Sequence, residues 1–125
     1  MSTPVGPYTP LVEAGGWLIC SGQLGLGPAA DGGAPSLVDG GAGPQLTRAV
    51  ANAAALLEAH GASLADVVKT TVFATDPAEF PVVNEAYVAA FGGHRPARSM
   101  VAVSALPMGA AVEIEVWAHR DPSRA

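Results

Sequence analysis

The segment Val112-Glu113-Ile114-Glu115-Val116-Trp117 sets two carboxylates two residues apart among β-branched and aromatic residues. Successive side chains of a strand point to opposite faces, so Glu113, Glu115 and Trp117 share one face and Val112, Ile114 and Val116 the other. Two carboxylates on one face are either solvated or matched by a cation, and solvation is the commoner fate. The candidate cation is Arg98, in Pro96-Ala97-Arg98-Ser99 at the entrance to a strand. Its planar guanidinium can grip a carboxylate through two parallel hydrogen bonds. The ordinary alternative is a surface salt bridge of small energetic weight. Arg95, among Gly, His and Pro, reads as a loop residue. Ser21 ends an apolar run in Ser21-Gly22-Gln23. Its hydroxyl can donate or accept, and Gly22 permits close backbone approach to a ligand.

Other chemistries lack their residues. His60, His94 and His119 include no pair at i,i+4 spacing, so no metal site is expected. A single cysteine, Cys20, excludes an internal disulfide and a multi-cysteine zinc cluster. Within an apolar strand and without a neighbouring base, Cys20 reads as buried and inert. There is no Gly-x-Ser-x-Gly elbow and no phosphate-cradling Gly-x-x-x-x-Gly-Lys, and Gly25-Leu26-Gly27 is not followed by the helix that a nucleotide site needs.

The elements that must carry these residues are legible from periodicity. Residues 1–10 are proline-rich and read as an extended entry. Leu11-Val12 and Trp17-Leu18-Ile19-Cys20, separated by Gly15-Gly16, predict a hairpin. The glycine- and proline-rich stretch 25–44 reads as a surface loop. Leu46, Ala49, Val50, Ala53, Leu57 and His60 recur at helical spacing, with Pro44 in the first turn and Gly61 as the stop. Residues 66–75 predict a strand. Asp76-Pro77-Ala78-Glu79 starts a second helix, with Phe80, Val83, Tyr87 and Phe91 on one face and Gly92-Gly93 ending it. Residues 98–103 and 111–118 complete the set as strands. The order β-β-α-β-α-β-β predicts one α+β domain over residues 1–125. Its sheet is mixed, with two helices on one face and strands 66–75 and 98–103 parallel. The other face has no helix to cover it, and packing against copies of itself is the simplest solution.

Composition agrees. Half of the residues are apolar and 14% are charged, too apolar for a disordered chain. No uncharged apolar run is long enough to span a membrane. Six Lys and Arg against eleven Asp and Glu leave a net charge of −5, without the basic footprint of a nucleic-acid binder. The amino terminus carries neither a basic segment nor an apolar signal core. The expectation is a soluble, cytoplasmic protein with no nucleic-acid or membrane partner.

Gly6-Pro7-Tyr8, Ser21-Gly22-Gln23, Gln45 through Gly61, Asp66-Val67-Val68-Lys69-Thr70-Thr71-Val72-Phe73, Asp76 and Phe80 stand in an order that continues with Val83-Asn84-Glu85-Ala86-Tyr87, Pro96-Ala97-Arg98-Ser99, Leu106-Pro107 and Glu113-Ile114-Glu115. Taken together over residues 4–119, these segments resemble the RidA (YjgF) family of enamine/imine deaminases. The resemblance implies a chorismate-mutase-like (YjgF-like) fold, a homotrimer with active sites between subunits, and neither metal nor organic cofactor. It implies hydrolysis of reactive 2-imino acids, such as 2-iminopropanoate and 2-iminobutanoate, to 2-keto acids and ammonia. Residue by residue, it implies that Arg98 holds the substrate carboxylate, that Glu113 attends the attacking water, and that Tyr8, Ser21 and Asn84 line the pocket. The chain departs from the family pattern at Cys20, Met100 and Met108 and in a short Gly92-Gly93-His94-Arg95 loop, all of which bear on which substrate is accepted. Two other functions fit the same residues: a trimer that binds small carboxylates or keto acids without turnover, and an endoribonuclease, which the acidic balance disfavours.

Overall fold

The computed structural model describes residues 6–29 and 31–121; the first half of the proline-rich entry lies outside them. Leu11–Ala14 (β1) and Trp17–Leu24 (β2) form the expected hairpin. Gly15 and Gly16 have φ of 55° and 87°. A two-residue turn with positive φ at both positions matches the twist of the strands it joins.

Stretch 25–44 differs from the surface loop expected. Leu26–Gly27 (β3) and Ser36–Leu37 (β4) pair antiparallel. The end of β2 and β3 are tied to the following helix, Ala42–Ala59 (α1), through their carbonyls. Arg48 Nε donates to Leu26 O at 3.1 Å, and Asn52 Nδ2 donates to Leu24 O at 3.2 Å and Leu26 O at 3.0 Å. Helix donors reaching backbone acceptors hold what the glycine-rich sequence alone would leave loose.

α1 packs Leu46, Ala49, Val50, Ala53 and Leu57 into the core. Gly61, at φ 77°, ends it. Gly61 N–H then bonds Glu58 O and Ala62 N–H bonds Leu57 O, the paired bonds of a Schellman stop. Val67–Ala74 (β5) follows. Asp76 accepts from Ala78 N–H at 2.9 Å to open the turn into Phe80–Phe91 (α2), which buries Val83, Tyr87 and Phe91. Ala97–Ala102 (β6) and Val112–His119 (β7) complete the chain.

The main sheet has the order β1-β2-β7-β5-β6, with β5 and β6 parallel and every other pair antiparallel. Val112, Ile114, Val116 and Ala118 are fully buried beneath α1, while Glu113 and Glu115 are half-buried on the opposite face and Trp117 is exposed there. The helices therefore cover one face only. Among the described residues no helix is long and apolar enough to cross a membrane.

Candidate active site

The uncovered sheet face carries a cavity of about 400 Å³ lined by Tyr8, Ser21, Gly22, Leu24, Pro107, Glu113 and Glu115. A bulge shapes it. Cys20 pairs with Val116 and Gln23 with Ile114, so Ser21 and Gly22 together oppose the single residue Glu115. Such a bulge bends the strand and re-aims its side chains. A Cβ on Gly22 would lie 2.6 Å from Glu113 Oε2 and 2.8 Å from its Cδ. The glycine that sequence reading assigned to ligand approach is thus filled by the protein's own carboxylate.

Desolvation raises the proton affinity of Glu113 above that of an ordinary glutamate, and the negative charge of Glu115 on the same face raises it further. Ser21 Oγ donates to Thr9 O at 2.6 Å, and Ser21 N–H bonds Pro10 O at 2.9 Å. The hydroxyl proton is therefore committed, and what Ser21 offers the cavity is acceptor capacity. Those two bonds also anchor the segment that brings Tyr8 over the sheet.

Arg98 and Asn84 lie elsewhere. Arg98 pairs with Thr70 across the parallel β5–β6 ladder, and Thr70 is buried under α2. Arg98 therefore sits on the helix-covered side, at the sheet edge, whereas Glu113 sits on the open side. Arg98 Nη1 donates to Asn84 Oδ1 at 2.8 Å, and its guanidinium carbon stands 4.8 Å from the centre of the Tyr87 ring. The five residues singled out from sequence thus separate into two groups in one chain. Tyr8, Ser21 and Glu113 share a cavity; Arg98 and Asn84 share a hydrogen bond at the β6 edge.

Glu115, one of the carboxylate pair read from sequence but given no role by the resemblance, lines the cavity, and Tyr87 touches Arg98. Tyr87 reads as an ordinary member of a buried helical stripe, and no local signal ties it to Arg98, eleven residues on. Cys20 is buried, its thiol pushed up to about 11 by burial, which leaves it protonated and inert at neutral pH. His94 bonds Val67 O at 2.6 Å and His60 Nδ1 bonds Leu56 O at 2.9 Å, so both are engaged by backbone. Among the described residues no group of three His, Cys, Asp or Glu could hold a metal ion.

Residues 1–120 match the family described as Endoribonuclease L-PSP. The mouse 2-iminobutanoate/2-iminopropanoate deaminase is 40% identical over 118 residues, which are 94% of this chain and 84% of the mouse protein. The human protein of the same name is 37% identical over 118 residues, covering 94% of this chain and 83% of its own. The crystal structure of RidA from the Antarctic bacterium Psychrobacter sp. PAMC 21119 superimposes with a TM-score of 0.86 at 39% identity, covering 95% of this chain and 93% of that one. With the family match running over nearly the whole length and the fold shared with a solved RidA, the chain belongs to the RidA/YjgF/L-PSP family.

Proposed function

We propose that this protein is an imine deaminase, working as a homotrimer, that hydrolyses 2-imino acids such as 2-iminobutanoate and 2-iminopropanoate to 2-keto acids and ammonia. The observation that carries the reading is the cavity in which Glu113 is pressed against the backbone at Gly22 with its proton affinity raised. The named deaminases at about the same length and 37–40% identity support the substrate class.

Arg98 and Glu113 lie on opposite faces of one sheet, so a cleft that holds both takes the arginine from one copy and the glutamate from another. The exposed Trp17, Trp117 and Val12 on the uncovered face supply apolar surface for that contact. In such a cleft Arg98 grips the substrate carboxylate and orients the C=N bond. Glu113 takes a proton from the water whose oxygen adds to the imine carbon and passes it to the imine nitrogen, which restores the carboxylate. Collapse of the carbinolamine moves its hydroxyl proton to the nitrogen as the C–N bond breaks, expelling ammonia and leaving the C=O of the keto acid. Protonated imines are strongly electrophilic, so holding the substrate matters more than forcing the chemistry.

Arg98→Ala is expected to abolish turnover of imine generated from serine by a dehydratase, and to weaken binding of 2-oxobutanoate by roughly 10- to 100-fold, the weight of a charge-assisted bidentate pair. Glu113→Gln is expected to lower turnover with a smaller effect on keto-acid binding. Undiminished turnover in Arg98→Ala overturns the proposal. Keto-acid binding by a wild-type protein that shows no turnover would favour the binding-only reading. An RNA-cleaving role has the family description in its favour, but eleven acidic against six basic residues argue against a phosphate-backbone surface.

A further inference from the structure

An arginine that grips a small acid must be held in one orientation, because its long side chain otherwise spends binding energy on being ordered. Hydrogen bonding alone does little of this here: among the described residues the guanidinium has one hydrogen bond, from Nη1 to Asn84. The rest of its support is an aromatic ring.

Tyr87 stands one turn after Asn84 on α2, so both address the same stretch of β6. The residue is 4% exposed, and its hydroxyl shares a 2.8 Å hydrogen bond with Oγ1 of the fully buried Thr70. Thr70 is also the β5 residue paired directly with Arg98. Phe91 lies against the Tyr87 ring, with centroids 4.6 Å apart. The ring is thus fixed by a hydrogen bond at its hydroxyl and by an aromatic neighbour, and presents its face to the guanidinium at 4.8 Å. That distance is within the range where ring quadrupole and cation attract. The side chain is no part of the lining of the Glu113 cavity.

We infer that Tyr87 is a positioning residue: its ring, locked by Thr70, is the platform that holds Arg98 in the orientation that receives the substrate carboxylate. The inference rests on the proposed role of Arg98 and adds to it the device that preorganises the arginine. Asn84 occupies Nη1, and the remaining guanidinium edge is left to a bidentate ligand. Asn84 itself, with Oδ1 turned to the arginine, acts through Arg98 and keeps only its amide N–H groups for substrate.

The test separates ring electronics from packing. Position 87 is filled by Phe (Tyr87→Phe) and by 4-fluoro-, 3,5-difluoro- and 3,4,5-trifluorophenylalanine, which keep nearly the same volume while draining charge from the ring face. Binding of 2-oxobutanoate is measured by calorimetry and imine turnover in parallel, in the wild-type and in the Arg98→Ala background. The expected result is a Kd that rises stepwise with fluorine number, by roughly 2- to 30-fold across the series, with kcat changed less than Kd. In the Arg98→Ala background the series is flat. A flat series in the wild-type background, with Arg98→Ala still weakening binding, overturns the positioning role and leaves the deaminase proposal standing. Binding and turnover unaffected by Arg98→Ala overturn both.

Discussion

Glu113 and Arg98 draw their properties from what touches them. Burial and the nearby charge of Glu115 both make Glu113 hold its proton more tightly than an exposed glutamate does. Its pair residues on β2 and β5 are Leu24 and Phe73, and neither carries charge. Lys69, further along β5 on the same face, is bonded to Ser99 Oγ at 2.8 Å. Among the described residues Glu115 is therefore the charge that tunes the carboxylate. In its proposed role as a base, Glu113 must be ionised, so turnover is expected to fall as pH drops through its pKa. A raised pKa places that acid limb above the pH at which an ordinary glutamate titrates. Glu115→Gln removes one of the two causes and should move the limb to lower pH, read from kcat against pH. A limb that stays in place would show that burial alone sets it.

At the scale of elements, the placement of Glu113 depends on strict alternation in β7 and on one irregularity in β2. A one-residue slip of β7 would bring Glu113, Glu115 and Trp117 under α1 and expel Val112, Ile114 and Val116, each of which contributes about 1.5–3 kcal/mol by burial. That cost fixes the register, and with it the face the carboxylates occupy. The bulge at Ser21-Gly22 then opens room for Glu113 where a regular strand would put a side chain. Gly22→Ala should leave the fold intact, because the three atoms nearest the new Cβ all belong to the flexible Glu113 side chain and none to backbone. Displacing that carboxylate should lower imine turnover roughly 10- to 100-fold. Circular dichroism with parallel kinetics checks this; full activity in the variant would mean that Glu113 needs no such seat.

At the scale of the molecule, half of the sheet surface lacks a cover. Trp17 and Trp117 meet edge to face with centroids 6.0 Å apart, His119 lies 4.9 Å from Trp17, and both tryptophans remain well exposed. An aromatic cluster on a sheet face with no helix above it is suited to burial against another copy. Wild-type protein is expected to sediment at three times the chain mass. Trp117→Glu should shift it to a single chain and abolish turnover, although Trp117 lines no part of the cavity. A wild-type protein that sediments as one chain with full turnover would remove the shared-site arrangement.

Local pattern determined most of the fold. The Gly15-Gly16 turn, the apolar stripes of both helices, the Asp76 start, the Gly61 stop and the β7 alternation each rest on neighbours within a few residues, where stereochemistry leaves few choices. The small β3–β4 pair escaped because its hold comes from Arg48 and Asn52, more than twenty residues away. The site escaped in the same manner. Residue types offered Arg98 and a pair of carboxylates, and the family resemblance picked Glu113 from that pair, but only tertiary structure decided that Arg98 and Glu113 stand on opposite faces of the sheet, that Gly22 seats the carboxylate, and that Tyr87 lies beneath the arginine. These relations join side chains far apart along the chain, and they follow from strand order and register, which no single segment encodes.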